Sequence, residues 1–351
     1  MANVLVTGGA GFIGGNFVRH RAARHPGEAM TVLDSLTYAG HRETIADIAE
    51  ANLVVGDICD TALVIRLLQK REIDTIVHFA AESHVDRSIA GPGAFIRTNI
   101  EGTHSLLEAA RAVWLDSGSG RPHRFHHIST DEVYGSLGLD DPAFTELTPY
   151  RPNSPYSASK AASDHLVRAW HRTYGLQATI SNCSNNFGPY QHPEKLIPLF
   201  ILNALHGKPL PIYGDGMNVR DWLHVTDHCR GIALCLERGA AGETYNIGGG
   251  AELPNMQVVN AICAEVDQAF ADNPALARRF PDAPAAKSEA SAMLRTFVED
   301  RKGHDRRYAI DPRKAEVTLG YAPERSFAEG LRDTVRWYCD NENWWRAVQR
   351  Q

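Results

Sequence analysis

Short apolar runs alternate with amphipathic stretches of helical length through the first half of the chain. Asn3 to Thr7 (NVLVT) is an apolar run that stops at glycines, and Phe12 to Arg24 behind it has helical spacing. Met30 to Leu33 is a second strand-like run ending at Asp34. Leu53 to Val55, Ile73 to Phe79, Phe125 to Ser129 and Thr179 to Cys183 continue the series. Pro92 opens a long helix within Gly91 to Ala112, and a second long helix is expected from Tyr156 to Tyr174. Such alternation predicts βαβ units, hence an α/β fold: a doubly wound parallel sheet with helices on both faces.

Beyond Cys183 the pattern changes. Pro189, Pro193, Pro198, Pro209 and Pro211 punctuate the chain, and irregular segments are expected to dominate. Thr244 to Gly248 (TYNIG) is strand-like and is expected to return to the sheet. Two interleaved domains follow: residues 1–184 with 226–248, and a smaller C-terminal substrate-binding domain from 185–225 and 249–351. Asp272 to Ser291, rich in Ala and Pro, is the expected surface excursion. Trp337, Trp344 and Trp345 close an amphipathic helix as packing residues. No repeat or low-complexity tract is present.

Composition narrows the function classes. The 351 residues are 43% hydrophobic and 22% charged, ordinary for a soluble globular chain. A net charge of −6 gives no electrostatic case for nucleic acid or an anionic membrane, so an anionic ligand needs a local basic pocket. Cys59, Cys183, Cys229, Cys235, Cys263 and Cys339 form no C-x-x-C pair; six reduced thiols and no metal are expected. The start Met1-Ala2-Asn3 is not a signal peptide, and no run approaches the roughly 20 apolar residues of a membrane helix, so the expected location is cytoplasmic.

The first turn carries chemistry. Gly8-Gly9-Ala10-Gly11-Phe12-Ile13-Gly14 lies between strand and helix and matches G-x-G-x-x-G at Gly9, Gly11 and Gly14. Glycines allow the tight turn and let backbone approach a pyrophosphate at the positive helix N-terminus. Asp34 at the end of the second strand would accept hydrogen bonds from ribose hydroxyls and repel a 2′-phosphate, which favours NAD over NADP. The sheet is therefore read as Rossmann-like. Asp57 and Ile58 would flank an adenine ring, and Ala80-Ala81-Glu82-Ser83 would let the cofactor pass.

Tyr156 and Lys160, at i and i+4, share one helical face. The lysine charge is expected to lower the tyrosine pKa from near 10 and to hold ribose hydroxyls. With the glycine fingerprint, this pair resembles the extended short-chain dehydrogenase/reductases. Ser129-Thr130-Asp131-Glu132-Val133-Tyr134-Gly135 resembles, within them, the nucleoside-diphosphate-sugar 4,6-dehydratases, most closely the dTDP-glucose branch. The likeness covers nearly the whole chain. It includes His84 to Ser88, Ser184 to Tyr190, Pro193 to Pro198, Tyr213 to Gly216, Arg220 to Trp222 and Gly303 to Tyr308. Phe187 departs from a usual tyrosine, and Lys302 from a usual proline in a substrate-phosphate loop.

The resemblance implies an internal redox dehydration of dTDP-glucose to a 4-keto-6-deoxy sugar with NAD regenerated. Tyr156 would take the 4-hydroxyl proton, and Thr130 would hydrogen-bond that oxygen. Glu132 would remove the C5 proton, and a protonated Asp131 would protonate the departing C6 hydroxyl. Neighbouring carboxyls in a dry pocket split their pKa values. Cofactor contacts implied are Gly8, Gly11, Phe12, Ile13, Gly14, Asp34, Ser35, Leu36, Thr37, Asp57, Ile58, Phe79, Ala80, Ala81, Ser83, Thr98, Tyr156, Lys160 and Asn186. Substrate contacts implied are Ser83, His84, Thr130, Asn185, Lys195, Leu196, Pro211, Ile212, Tyr213, Arg220, Asn255, Arg301, His304 and Tyr308. Among these, Lys195, Arg220 and Arg301, with Arg307, are the candidate diphosphate partners. A homodimer pairing the helices near Phe95 to Ala112 and Tyr156 to Tyr174 is also implied. The rivals are a UDP- or CDP-glucose dehydratase, a sugar-nucleotide 4-epimerase that needs neither Asp131 nor Glu132, and an NAD-binding protein without catalysis.

Overall fold

In the computed structural model, which describes residues 3–118, 120–300 and 303–350, the parallel sheet forms with seven strands. They are β1 (Val4–Thr7), β2 (Met30–Asp34), β3 (Ala51–Val55), β4 (Thr75–His78), β5 (Arg124–Thr130), β6 (Ala178–Cys183) and, after a long interval, β10 (Thr244–Ile247). Their order is β3-β2-β1-β4-β5-β6-β10, every neighbouring pair parallel. Strand order reverses between β1 and β4, and a crevice opens there at the carboxyl ends.

The apolar runs have a physical cause: the sheet is covered on both faces. Leu5, Leu33, Ile76, Phe125 and Ile180 pack under Val64 and Leu68 of the helix Thr61–Lys70, Leu106 and Leu107 of Gly102–Ala110, and Val167 of Pro155–Tyr174. Val4, Val6, Val32, Val77 and Ile128 point the other way, against Phe17 and Val18 of the helix Phe12–Arg24 and Ile232 of Val225–Arg238.

The long helix after Pro92 is continuous from Gly93 to Asp116 but contains two π stretches, Ile96–Glu101 and Arg111–Asp116. Asn99 sits in the first. Its amide accepts from Glu82 N (2.8 Å) and donates to Glu82 O (3.0 Å) and Ser159 Oγ (2.8 Å). The helical irregularity thus ties the loop after β4 to the helix Pro155–Tyr174.

The region beyond Cys183 is more regular than its prolines suggest. β7 (Asn185–Phe187) pairs parallel with β9 (Val219–His224), which pairs antiparallel with β11 (Glu252–Pro254). β8 (Leu210–Tyr213) pairs parallel with β12 (Arg295–Val298). Pro198 falls at the third position of the helix Leu196–Leu205, where a missing N–H costs no intrahelical bond. That helix packs with Asn255–Asp272, Phe327–Asp340 and Glu342–Val348 around Trp222 and Trp345. The Trp-rich end is two helices broken at Asn341, and its tryptophans pack. Asp272 to Ser291 is no loose excursion: Leu276, Phe280 and Ala283 are buried in this second core. All six cysteines are free, and no helix among the described residues is long and apolar enough to cross a membrane.

Candidate active site

A cleft at the carboxyl ends of β1, β2, β4 and β5 runs from the glycine loop to Lys160. At one end, a Cβ on Gly14 would lie 2.3 Å from the Gly8 carbonyl oxygen, and one on Gly8 would lie 2.6 Å from Ala80 N. Only glycine permits that approach, and Gly8 also needs its φ of 71°. Gly11 caps the helix Phe12–Arg24 with no side-chain hydrogen bond, so the first-turn N–H groups stay available at the cleft beside Phe12, Ile13 and Gly14. Asp34, buried, accepts from Ala10 N (2.9 Å) and Leu36 N (2.8 Å). Burial raises its carboxyl, against those two N–H groups that favour the charge. The residues fit a dinucleotide: an anion seat at a helix start and a carboxylate about where a ribose would lie.

The other end is built by one strand and one helix. β5 delivers Thr130 into a 3-10 turn, Asp131–Tyr134, with the Thr130 hydroxyl accepting from Glu132 N at 3.3 Å. Ser154 caps the helix Pro155–Tyr174 through a reciprocal capping box with Ser157, Pro155 occupies the first turn, and Gly175 ends the helix at φ 79°. Those signals set the helix start and therefore place Tyr156 and Lys160. Thr130 lies close enough to the Tyr156 phenol to oppose the rise of its pKa. Asp131 is 2% exposed; Thr130 Oγ1 donates to its Oδ1 at a long 3.4 Å, and its Oδ2 has no partner among the described residues. Burial first, and the neighbouring Glu132 second, push its pKa well above the ordinary carboxyl value. Burial and the Glu132 charge thus favour the protonated form of Asp131.

One expectation is corrected. Lys160 does not lower the Tyr156 phenol; burial, Glu132 and Cys183 push it well above 10. The ammonium donates to Ile128 O at 2.8 Å. Burial pulls Lys160 itself down to about 8.

Most predicted contacts line the cleft: Ser35, Thr37, Asp57, Ile58, Phe79, Ala80, Ala81, Ser83, Thr98, Asn185, Asn186 and Lys195 join those above. Others do not. Leu36 sits at φ 51° in the turn after β2, offering its backbone to Asp34. His84 is at the rim, 3.7 Å from Glu194. Ile212 is buried in the second core between Pro211 and the exposed Tyr213, and Leu196 packs against that core. His304 Nδ1 lies 2.7 Å from Asp300 Oδ1. Asn255 begins a helix with its side-chain oxygen buried and without a partner among the described residues. The Asn186 amide is occupied by His228 Nδ1 and Ser184 O. Arg307 is paired with Glu252 at 2.7 Å. Arg220 and Tyr308 stack at 4.4 Å, and both feel the charge of Glu132, so β9 brings a guanidinium to the carboxyl pair. Arg301 and Lys302 lie outside the described residues. Phe187 is buried against Trp222, His224 and Phe327, an apolar site for a residue without a hydroxyl.

Sequence reasoning missed Tyr38, Arg97, Gln191, His192 and Glu194, which also line the cleft. Arg97 pairs with Asp57 at 3.1 Å; Arg87 lies 3.9 Å over the Tyr38 ring and 3.6 Å from Glu194. Nothing local marks them, because each contact joins segments far apart in sequence.

The GDP-mannose 4,6-dehydratase family profile matches residues 5–334. The chain is 54% identical to dTDP-glucose 4,6-dehydratase of Neisseria meningitidis serogroup B, covering 99% of this chain and 96% of that one. It is 52% identical to dTDP-glucose 4,6-dehydratase 1 of Escherichia coli K12, over 97% and 94%. Among solved structures, DesIV, a dTDP-glucose 4,6-dehydratase from Streptomyces venezuelae with NAD and TYD bound, matches with TM-score 0.87, 50% identity and 99% coverage of both chains. A UDP-glucose 4-epimerase from Thermotoga maritima matches with TM-score 0.82 at 28% identity, covering 97% of this chain and 99% of that one.

Proposed function

The chain belongs to the GDP-mannose 4,6-dehydratase family, and from that premise we propose that its cleft converts dTDP-D-glucose to dTDP-4-keto-6-deoxy-D-glucose and water. The enzyme is an NAD-dependent sugar-nucleotide dehydratase, a carbon–oxygen lyase. The observation that carries this reading is the buried Asp131, its second oxygen unpartnered among the described residues, next to Glu132 and within the surroundings of Tyr156. An epimerase only removes and returns hydride at one carbon and has no use for an acid and a base side by side.

The glycine loop amides would hold the NAD pyrophosphate, Asp34 the ribose, and Lys160 the nicotinamide ribose. Bound NAD supplies the acceptor for the C4 hydrogen, its donor at C6, and a positive ring charge that opposes the rise of the Tyr156 phenol. Tyr156 takes the proton of the hexose 4-hydroxyl, with Thr130 donating to that oxygen. Glu132 removes the C5 proton, acidified by the new 4-ketone. Asp131 gives its proton to the C6 hydroxyl, which leaves as water, and C5 is reprotonated to complete the 4-keto-6-deoxy product. Arg220 and Lys195 bind diphosphate oxygens, and Asn185 and Asn255 hydrogen-bond the substrate; both asparagines have a buried amide oxygen without a partner among the described residues. The small sheets of β7, β8, β9, β11 and β12 are read as the substrate-holding domain. A cytoplasmic homodimer is part of the proposal, with Ile89 and Ile96 exposed beside and on the long helix after Pro92.

Turnover of dTDP-, UDP- and CDP-glucose side by side, followed by mass spectrometry, tests it. The expected result is a product lighter by one water from dTDP-glucose, with no net use of NAD. A product of unchanged mass means epimerase, and no turnover of any of the three sinks the catalytic reading.

A further inference from the structure

Beneath Lys160 lies a buried polar chain that the reaction above does not use. Lys160 Nζ is 3.4 Å from His127 Nε2, and His127 Nε2 is 3.1 Å from Asp164 Oδ1. Both His127 and Asp164 are fully buried. The other Asp164 oxygen accepts from Ser129 Oγ at 2.8 Å and from the Tyr150 hydroxyl at 2.9 Å. Arg168 donates to the Tyr150 oxygen at 2.8 Å and to Thr244 Oγ1 at 3.2 Å. The chain links β5, the helix Pro155–Tyr174 and β10.

We infer that Asp164, acting through His127, is the buried counter-charge and positioning residue for the Lys160 ammonium. This rests on the reading of Lys160 as part of the active site. An isolated ammonium in a dry interior would shed its proton, and among the described residues its only close hydrogen-bond acceptor besides His127 is the Ile128 carbonyl, which is neutral. Asp164 provides the missing negative charge two contacts away. Although completely buried, it stays below the ordinary carboxylate range, because hydrogen bonds from His127 and Ser129 and the nearby positive charges outweigh its desolvation. His127 is pulled down to about 4 and is therefore neutral near pH 7, so the imidazole transmits the field without adding a charge. Lys160 Nζ and Asp164 Oδ1 converge on the same His127 nitrogen, so ammonium and carboxylate face each other across one ring atom. The titratable and charged groups facing this chain are His78 from β4, with its ring 5.1 Å from His127, Cys183 from β6, Tyr150, and Arg168 on the helix itself.

The test is the pH profile of the first hydride transfer. In a Glu132→Gln background water loss is blocked, and the near-ultraviolet absorbance of reduced nicotinamide after mixing with dTDP-glucose reads that step without Asp131. Adding Asp164→Asn removes the counter-charge, lowers the Lys160 pKa and moves the alkaline limb down by about one pH unit or more. The rate then falls about fivefold or more at pH 8 and much less at pH 6. A uniform loss at every pH, with the limb unmoved, overturns the inference and makes Asp164 merely structural. Should that variant fail to fold, Asp164→Ser, which is smaller and also carries no charge, is expected to move the limb the same way; an unmoved limb there also overturns it. Absence of any reduced nicotinamide in the Glu132→Gln enzyme alone overturns the reaction reading, and the inference falls with it.

Discussion

Replacing Asp131 with asparagine separates catalysis from stability. The native carboxyl is buried, holds one long hydrogen bond and has a bare second oxygen. Its folded pKa therefore lies well above the ordinary 3.8 at which the unfolded chain ionises it. Below that pH both states are protonated, and this contribution is absent. Above it the unfolded state holds fewer protons, so folding loses about 1.4 kcal/mol for every pH unit over which only the folded carboxyl stays protonated. The asparagine amide has the same shape as the carboxyl and never ionises. Asp131→Asn is expected to match the native enzyme near pH 4 and to become progressively more stable than it as the pH rises. In thermal unfolding, each kcal/mol appears as about 2 °C or somewhat less for a chain of this size. The same variant loses its proton donor and about 10²- to 10⁴-fold of the rate of water loss. A stability gap that does not widen between pH 5 and pH 8 would refute the buried-acid argument, whatever the activity shows.

Glu132→Gln is expected to accumulate reduced cofactor with dTDP-glucose and to lose water at least about a hundredfold more slowly; elimination at the native rate would transfer that role elsewhere. Gly14→Ala places a methyl 2.3 Å from the Gly8 carbonyl oxygen, so cofactor affinity measured by calorimetry should collapse, and native affinity would show that the loop relaxes freely. Ser154→Ala breaks the capping box that sets Tyr156 and Lys160, with a cost of about 1 kcal/mol in denaturant unfolding and a fall in kcat; a change in neither would detach the cap from the site.

The central sheet was legible because a parallel strand buried on both faces reads as a mainly apolar run, as β1 and β2 do, while β5 and β6 bury His, Ser, Thr and Asn side chains and read less plainly. Glycine spacing, Asp34 and the pair Tyr156–Lys160 were legible because local geometry demands those residue types. The small sheets were not: β7 and β11 are three residues each and join segments distant in sequence, so no local period marks them. Asp272 to Ser291 misled through its Ala and Pro content, although Leu276, Phe280 and Ala283 repeat at helical spacing and are buried. The direction of the Tyr156 shift was missed because i, i+4 spacing says two side chains share a face, not which acceptor the ammonium chooses. Here it chooses Ile128. His127 and Asp164 were invisible for a related reason: a buried histidine on a strand looks like any core residue until its partner, 37 residues on, is seen.

The late strand β10 has a consequence for synthesis. Asn246 accepts from the Tyr134 hydroxyl at 2.9 Å and donates to Phe144 O at 3.0 Å, while Thr244 accepts from Arg168. The turn carrying Asp131 and Glu132 is thus fastened by residues the ribosome adds more than a hundred positions later. Until then β6 is a bare sheet edge, open to pairing with another nascent chain. Truncation before Thr244 would leave the glycine loop and Tyr156 intact in sequence, yet strand the acid–base turn without its fastening and favour aggregation. The arrival of β10, not only the composition of the first half, is what closes the β6 edge and fastens the acid–base turn.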